Sequence, residues 1–286
     1  MRNQVSLIVI FHGRHNHLIN VLKGLENGLS KPDEIILVEI NSKKLSLPKF
    51  NLKIKHFLIW DFDKSDLPIA AARNAGASLA KFEVLAFLDV DCIPSYSYID
   101  RIANFEISSS CIYMATPMYL ENPVNSFEDF NFTRDAILHP ARPVYHGNFK
   151  TEDYGLFWSL CFYITTNLFF EIGGFDETFR GYGAEDTDLS FKCRERGYEL
   201  ILTSEIVYHQ QHKFMRPPVN SIDSIIRNSN YFYTKWNVWP MANHLEAFSK
   251  LGYIDWNTKQ KSLIEIIKPI HLDKLEELLV YNERFA

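Results

Sequence analysis

The chain has 286 residues, of which 47% are hydrophobic and 23% charged, with a net charge of −5. This supports one large domain, or one domain with an appendage, and the acidic balance excludes nonspecific nucleic-acid binding, which needs a basic surface. Four scattered cysteines, Cys92, Cys111, Cys161 and Cys193, show no CxxC spacing; that argues against a zinc knuckle and for a reducing, cytoplasmic setting.

The first apolar run, VSLIVIF (5–11), is too short for a bilayer span and lacks a small-residue cleavage site. It reads as a strand buried on both faces. Leu18, Val21, Leu22 and Leu25 then recur at helical spacing and stop at Gly28. EIILVEI (34–40) and KIKHFLIW (53–60) predict two more buried strands, LPIAAARNAGASLA (67–80) a helix, and EVLAFLDVD (83–91) a fourth strand. This rhythm is that of an α/β domain with a largely parallel sheet. Ligands of such sheets sit beyond the carboxyl ends of the strands. The rule selects His12–Arg14, Glu39–Asn41, Asp61–Asp63 and Asp89–Asp91, three of which are acidic.

Residues 106–160 are less regular and rich in proline and aromatic residues, which suits either an acceptor-binding loop or connecting structure. LILTSEIVYHQQH (200–212) predicts a strand ending near His209 and His212. From 219 onward three helical stretches are expected, SIDSIIRNSNYFYTKW, MANHLEAFSKLGY and SLIEIIKPIHLDKLEELLVYNE.

Three clusters carry candidate chemistry. Asp89 and Asp91, two residues apart, would converge in an extended chain, and paired carboxylates at a buried strand end call for a cation, although a strand-end turn is an equally simple source of this pattern. His209 could complete a mixed oxygen–nitrogen site with Asp91, suited to Mn²⁺, with His212 as a weaker ligand; a lone histidine is also often just a core or surface residue. In FRGYGAEDTDLSFKCRERGY (179–198), Glu185 and Asp186 follow glycines and open a helix. Capping explains one acid; the other reading is a carboxylate that takes a proton from an attacking hydroxyl.

In order, FHGRHNHL (11–18), ARNAG (72–76), FLDVDCIP (87–94), GLFWSLCFYITTNLFFEIGGFDE (155–177) and the 179–198 segment resemble glycosyltransferases of the GT-A fold. They are similar to bacterial family-two enzymes, with a C-terminal motif like that of β-1,4-galactosyltransferases and stretches like those of polypeptide N-acetylgalactosaminyltransferases. The resemblance implies a Rossmann-like, mostly parallel sheet flanked by helices, in a catalytic domain spanning 1–215. Nucleotide-sugar binding would fall in 1–95, the acceptor part in 96–215, and a helical extension in 216–286.

It also implies transfer of a sugar from a UDP-sugar donor to a glycan or lipid-linked saccharide acceptor, with Mn²⁺ or alternatively Mg²⁺. Asp91 and His209 would hold the metal and Asp89 the ribose or a metal-bound water. Arg14 and Glu39 would hold the uridine, and Arg73 and Asn74 would lie near the nucleotide or donor sugar. Asp186 would be the general base, with Glu185 bonding a sugar and Tyr182 packing on a sugar face. An aspartate base implies inversion. The alternatives are a retaining transferase and a non-catalytic nucleotide-sugar or glycan-binding module. His12, Ile206, Ala184, Thr187 and Tyr182 depart from the galactosyltransferase pattern, which leaves the acceptor least defined. Arg227, Lys235, Trp236, Trp239 and Lys250 of the tail could face a membrane surface or a second subunit, or simply pack the tail onto the domain.

Overall fold

A computed structural model describes residues 2–41, 46–61, 66–269 and 278–280. In chain order these form β1 (Val5–Phe11), α1 (His15–Asn27), β2 (Glu34–Ile40), β3 (Ile54–Ile59), α2 (Ile69–Leu79), β4 (Val84–Asp89), β5 (Cys92–Pro94) and α3 (Tyr98–Asn104). Next come β6 (Cys111–Leu120), β7 (Ala136–Leu138), β8 (Phe149–Thr151), β9 (Cys161–Thr165), α4 (Thr166–Glu171), α5 (Glu185–Glu195) and β10 (Glu199–His209). The described chain ends with β11 (Phe214–Met215), α6 (Ile222–Trp236), α7 (Ala242–Lys250) and β12 (Leu279–Val280).

One sheet organises the molecule in the order β3-β2-β1-β4-β9-β6-β10-β5, with β7 on β6 and β8 on β10. The β3-β2-β1-β4 half is parallel throughout, as the buried apolar runs require. β6 and β10 are also parallel to each other, and β9 enters antiparallel between β4 and β6. Every residue of β1 and β2 is buried. Helix α2 sits so close to β1 that a Cβ on Gly76 would fall 2.5 Å from Ile8 Cγ2. Only glycine permits that approach.

Three expectations need correction. β3 is the sheet edge, and its residues are partly buried or exposed instead of being buried on both faces. The stretch expected to be irregular contains β6, a ten-residue strand in the centre of the sheet. Pro117 hid it, and the proline is tolerated because β9 pairs with β6 only at Tyr113 and Met114. The third tail helix does not form among the described residues: 261–269 are irregular, and Leu279–Val280 is a strand paired with Phe214–Met215. Part of that expected helix lies outside the described residues, as does Asp63.

The remaining tail packs inward. Tyr231 and Trp236 lie against the main core, where Phe232 is fully buried, and Trp239 joins a second cluster around Ile222, Leu245 and Phe248. Arg227 pairs with Asp66, Lys235 with Asp176 and Asp188, and Lys250 with Glu246. No helix among the described residues is long and apolar enough to cross a membrane.

Candidate active site

The chain runs from β1 outward to β2 and β3, then returns to β4 on the opposite side of β1, so a crevice opens at the carboxyl ends of β1 and β4. Arg14, in the left-handed region (φ 51) just before α1, sends its guanidinium from the end of β1 to the Asp91 carboxylate. β4 ends at Asp89, and Val90–Asp91 turn before β5 begins. The two carboxylates therefore take different partners, although each still feels the other's charge.

Asp91 is the centre of one pole. β10 pairs with β5 so that His209 stands opposite Cys92, and the Gln210 N–H donates to the Asp91 carbonyl (2.7 Å). His209 Nε2 lies 3.6 Å from one carboxylate oxygen of Asp91, and His212 Nε2 lies 3.6 Å from the other. Ligand atoms of Asp91, Cys92 and His209 fall within 4.8 Å of one another. The His209 ring stacks on Tyr119 at 4.6 Å, and its buried Nδ1 has no hydrogen-bond partner among the described residues. Burial pushes the Asp91 carboxyl up, but His209, Arg14 and His212 outweigh it and hold the group below the usual carboxylate range. Burial keeps both imidazoles below their ordinary value and hence neutral, and keeps Cys92 a thiol. An ionised carboxylate beside neutral imidazoles is a donor set that fits a Mn²⁺-type ion.

The second pole starts at α5. The turn before it uses left-handed backbone at Gly181 (φ +74), Gly183 (φ +91) and Ala184 (φ 72). A Cβ on Gly183 would fall 2.3 Å from Met241 Sδ, so the turn and the start of α7 are in close contact. Glu185 accepts from Arg73 (3.1 Å), whose other terminal nitrogen donates to Asp89 (3.0 Å). Arg73 is buried and stays fully charged: burial opposes its charge, but Asp89 and Glu185 outweigh that effect. It joins the two poles. Among the described residues no cation contacts Asp186; one of its oxygens accepts from the Thr187 N–H (2.6 Å) and hydroxyl (3.2 Å). Burial, then repulsion from Glu185, raises its carboxyl to about 7. Tyr182 is 47% exposed, with its ring edge-on to His244 at 6.0 Å.

Two other expected residues sit apart from these poles. Glu39 is fully buried at the end of β2, bonded to His15 (3.1 Å) and His56 (2.8 Å). Asn74 is tied to the turn after α4, donating to the Phe175 carbonyl (2.9 Å) and Glu177 (2.9 Å) and accepting from the Phe175 N–H. Sequence reasoning missed His15 and His56, although His15 follows directly on the strand-end run that singled out Arg14. It also missed the bridging role of Arg73, which depends on a residue 112 positions away. A cavity of about 520 Å³ between α1, β5 and the 127–133 loop is lined by Tyr208 and three phenylalanines, but by none of the residues of the two poles.

This arrangement, with its parallel sheet, switch-point crevice and acidic strand end, defines a GT-A glycosyltransferase fold. Residues 8–233 match the family described as Glycosyltransferase like family 2, and the chain belongs to that family. It is 25% identical over 158 residues to a validoxylamine A glucosyltransferase of Streptomyces hygroscopicus subsp. jinggangensis, covering 48% of this chain and 37% of the relative. It is 25% identical over 220 residues to the O-antigen chain rhamnosyltransferase RfbN of Salmonella typhimurium, covering 74% and 67%. Among solved structures it resembles GalNAc-T7 with UDP, GalNAc and Mn²⁺ (TM-score 0.56, 17% identity, 81% of this chain and 50% of that one). It also resembles S. aureus TarS (TM-score 0.51, 17% identity, 80% and 40%). The chain thus spans little more than a third of the glucosyltransferase and half of GalNAc-T7.

Proposed function

We propose that the protein is an inverting, metal-dependent glycosyltransferase that moves a hexose-type sugar from a UDP-sugar to a hydroxyl of a glycan or lipid-linked saccharide. The observation that carries this reading is the contrast between two carboxylates of one cleft. Asp91 is held ionised among Arg14, His209 and His212, whereas Asp186 is raised to about 7 with no cation in contact. Environments that push two such groups apart mark acid–base assignments. Family membership and the named relatives support sugar transfer, and GalNAc-T7, with its UDP and Mn²⁺, supports the donor and ion.

Asp91 and His209 would hold the ion, with His212 and Asp89 beside them. When bound, the ion would neutralise the departing diphosphate. Arg14, bonded to the same carboxylate, adds positive charge there. Arg73 orients Glu185, which is placed to bond a sugar hydroxyl. The free oxygen of Asp186 takes the proton of the attacking acceptor hydroxyl as the new glycosidic bond forms and the nucleotide leaves. Tyr182 offers an exposed ring face beside this carboxylate for a sugar to pack on. Glu39, with His15 and His56, would form the floor under the uridine.

The test is thermal stability with UDP and a panel of UDP-sugars, each with Mn²⁺ or with EDTA, on wild type and Asp91→Asn. A ligand that binds the folded state raises the melting temperature. We expect a Mn²⁺-dependent rise in wild type that the variant loses. No rise with any nucleotide in the presence of Mn²⁺ would overturn the reading in favour of a glycan-binding module.

A further inference from the structure

The motif resemblance gave helix α6 no task, yet its inner face meets the turn that delivers Asp186. Asn228 is 1% exposed, and its amide nitrogen lies 3.0, 3.2 and 3.0 Å from the carbonyl oxygens of Arg180, Tyr182 and Gly183. One turn earlier on α6, Ser224 Oγ accepts from the Tyr182 N–H (3.2 Å), while Arg227, next to Asn228, donates to the Arg180 carbonyl (2.8 Å). A Cβ on Gly181 would meet Ser224 Cβ at 2.7 Å, so helix and turn are in direct contact. Two turns later, Trp236 Nε1 donates to Asp188 (2.8 Å), and Lys235 reaches the same oxygen (2.7 Å), inside the first turn of α5.

The turn joins two glycines, whose backbone is free to take other conformations, to Ala184, for which the left-handed region is sparsely populated and persists only where the surroundings over-determine it. Its carbonyls also have no strand to pair with. The two hydrogens of one buried amide, shared among three of them, are the device that fixes it.

We propose that Asn228 is a positioning residue for the transfer reaction: its amide clamps the Arg180–Gly183 carbonyls and so sets where the Asp186 carboxylate stands relative to the acceptor. The proposal rests on the assignment of Asp186 as the base. α6 is by this argument part of the catalytic apparatus, although none of its side chains touches the reacting atoms.

The experiment compares wild type, Asn228→Ala, Asn228→Asp and Ser224→Ala with Asn230→Ala. Asn230 lies on the same helix and makes two comparable bonds, but to the Ile264 backbone (2.8 Å each), away from the turn. The readouts are Mn²⁺-dependent hydrolysis of UDP-glucose, UDP-galactose and UDP-N-acetylgalactosamine, and hydrogen exchange of the 180–186 amides. Both Asn228 variants should lower kcat by about tenfold or more with the donor KM little changed, as expected when a reacting group is misplaced by a fraction of an ångström. They should also speed exchange at Tyr182. Asn230→Ala should lose similar thermal stability and keep its kcat. Equal kcat losses in Asn230→Ala, or an unchanged kcat in the Asn228 variants, would overturn the proposal. If the Asn228 variants do not fold, Ser224→Ala decides it through the same kcat and exchange readouts. If wild type turns over none of the donors, the transferase reading fails, and exchange alone still decides whether the clamp exists.

Discussion

The two poles of the cleft are built by opposite means. The Asp91 pole is assembled from strand ends: β4 supplies the turn, β10 brings His209 alongside through its pairing with β5, and β1 leads into Arg14. The Asp186 pole hangs on a glycine turn whose carbonyls are held by a helix more than forty positions later in the chain. A sheet fixes its own ends through its ladder, whereas a glycine turn has no ladder, is free to take other conformations and is held by outside partners. The first pole should therefore fail by losing a ligand, and the second by losing its geometry.

Substitutions can separate these failures. The largest effect is expected for Asp186→Asn, which should lower kcat by about 10²- to 10⁴-fold while leaving the Mn²⁺-dependent nucleotide shift in melting temperature intact. Asp91→Asn should do the reverse first, abolishing that thermal shift, with a fall of about 100-fold in activity at fixed Mn²⁺. Isothermal titration with Mn²⁺ and UDP distinguishes the two, and loss of nucleotide binding in Asp186→Asn would erase the proposed division of labour.

The pH profile sharpens the contrast. If Asp186 is the proposed base, it must lose its proton to act, and with its carboxyl raised to about 7, kcat should climb through neutral pH and level off above it. The same shift has a stability consequence of definite sign. Between the ordinary carboxylate value and about 7 the folded state binds more protons than the unfolded one, so this group's contribution to stability falls as pH rises. Asp186→Asn should therefore gain thermal stability relative to wild type at pH 8 and lose that advantage by pH 4.

Gly76→Ala is a control away from both poles. Its Cβ would press on Ile8 Cγ2 at 2.5 Å and Val38 Cγ2 at 3.3 Å, so denaturant titration should show a loss of about 1–3 kcal/mol from overpacking. Its donor KM should be unchanged. Smallest of all, Lys250→Ala removes an exposed pair with Glu246 on α7 and should move stability by less than about 0.5 kcal/mol.

How much of this was legible in the sequence follows the same division. VSLIVIF, EIILVEI and EVLAFLDVD announced the parallel half and its acidic edge, because a strand buried on both faces reads as a nearly continuous apolar run. Asp91, Arg14 and His209 were singled out because they stand at strand ends, and the structure brings the three side chains together. Arg73 was expected near the donor, but its link to both Asp89 and Glu185 is a tertiary fact. Asn228 and Ser224 sit in a helix whose sequence reads as an ordinary amphipathic stretch, and nothing local marks an asparagine as the partner of a distant turn. β6 was missed because Pro117 usually excludes a central strand, and here a gap in pairing removes the penalty.

The tally of charge around Arg73 bears on the order in which ligands arrive. Asp89, Asp91, Glu185 and Asp186 share two guanidiniums, Arg14 and Arg73, and the imidazoles of His209 and His212 are kept neutral. With all four carboxylates ionised, these groups together fall two positive charges short of neutrality. Such a cleft repels a polyanion and draws in a divalent cation. Initial-rate kinetics should accordingly show ordered addition, with the cation entering ahead of the nucleotide-sugar, and an apparent donor affinity that tightens as free Mn²⁺ rises.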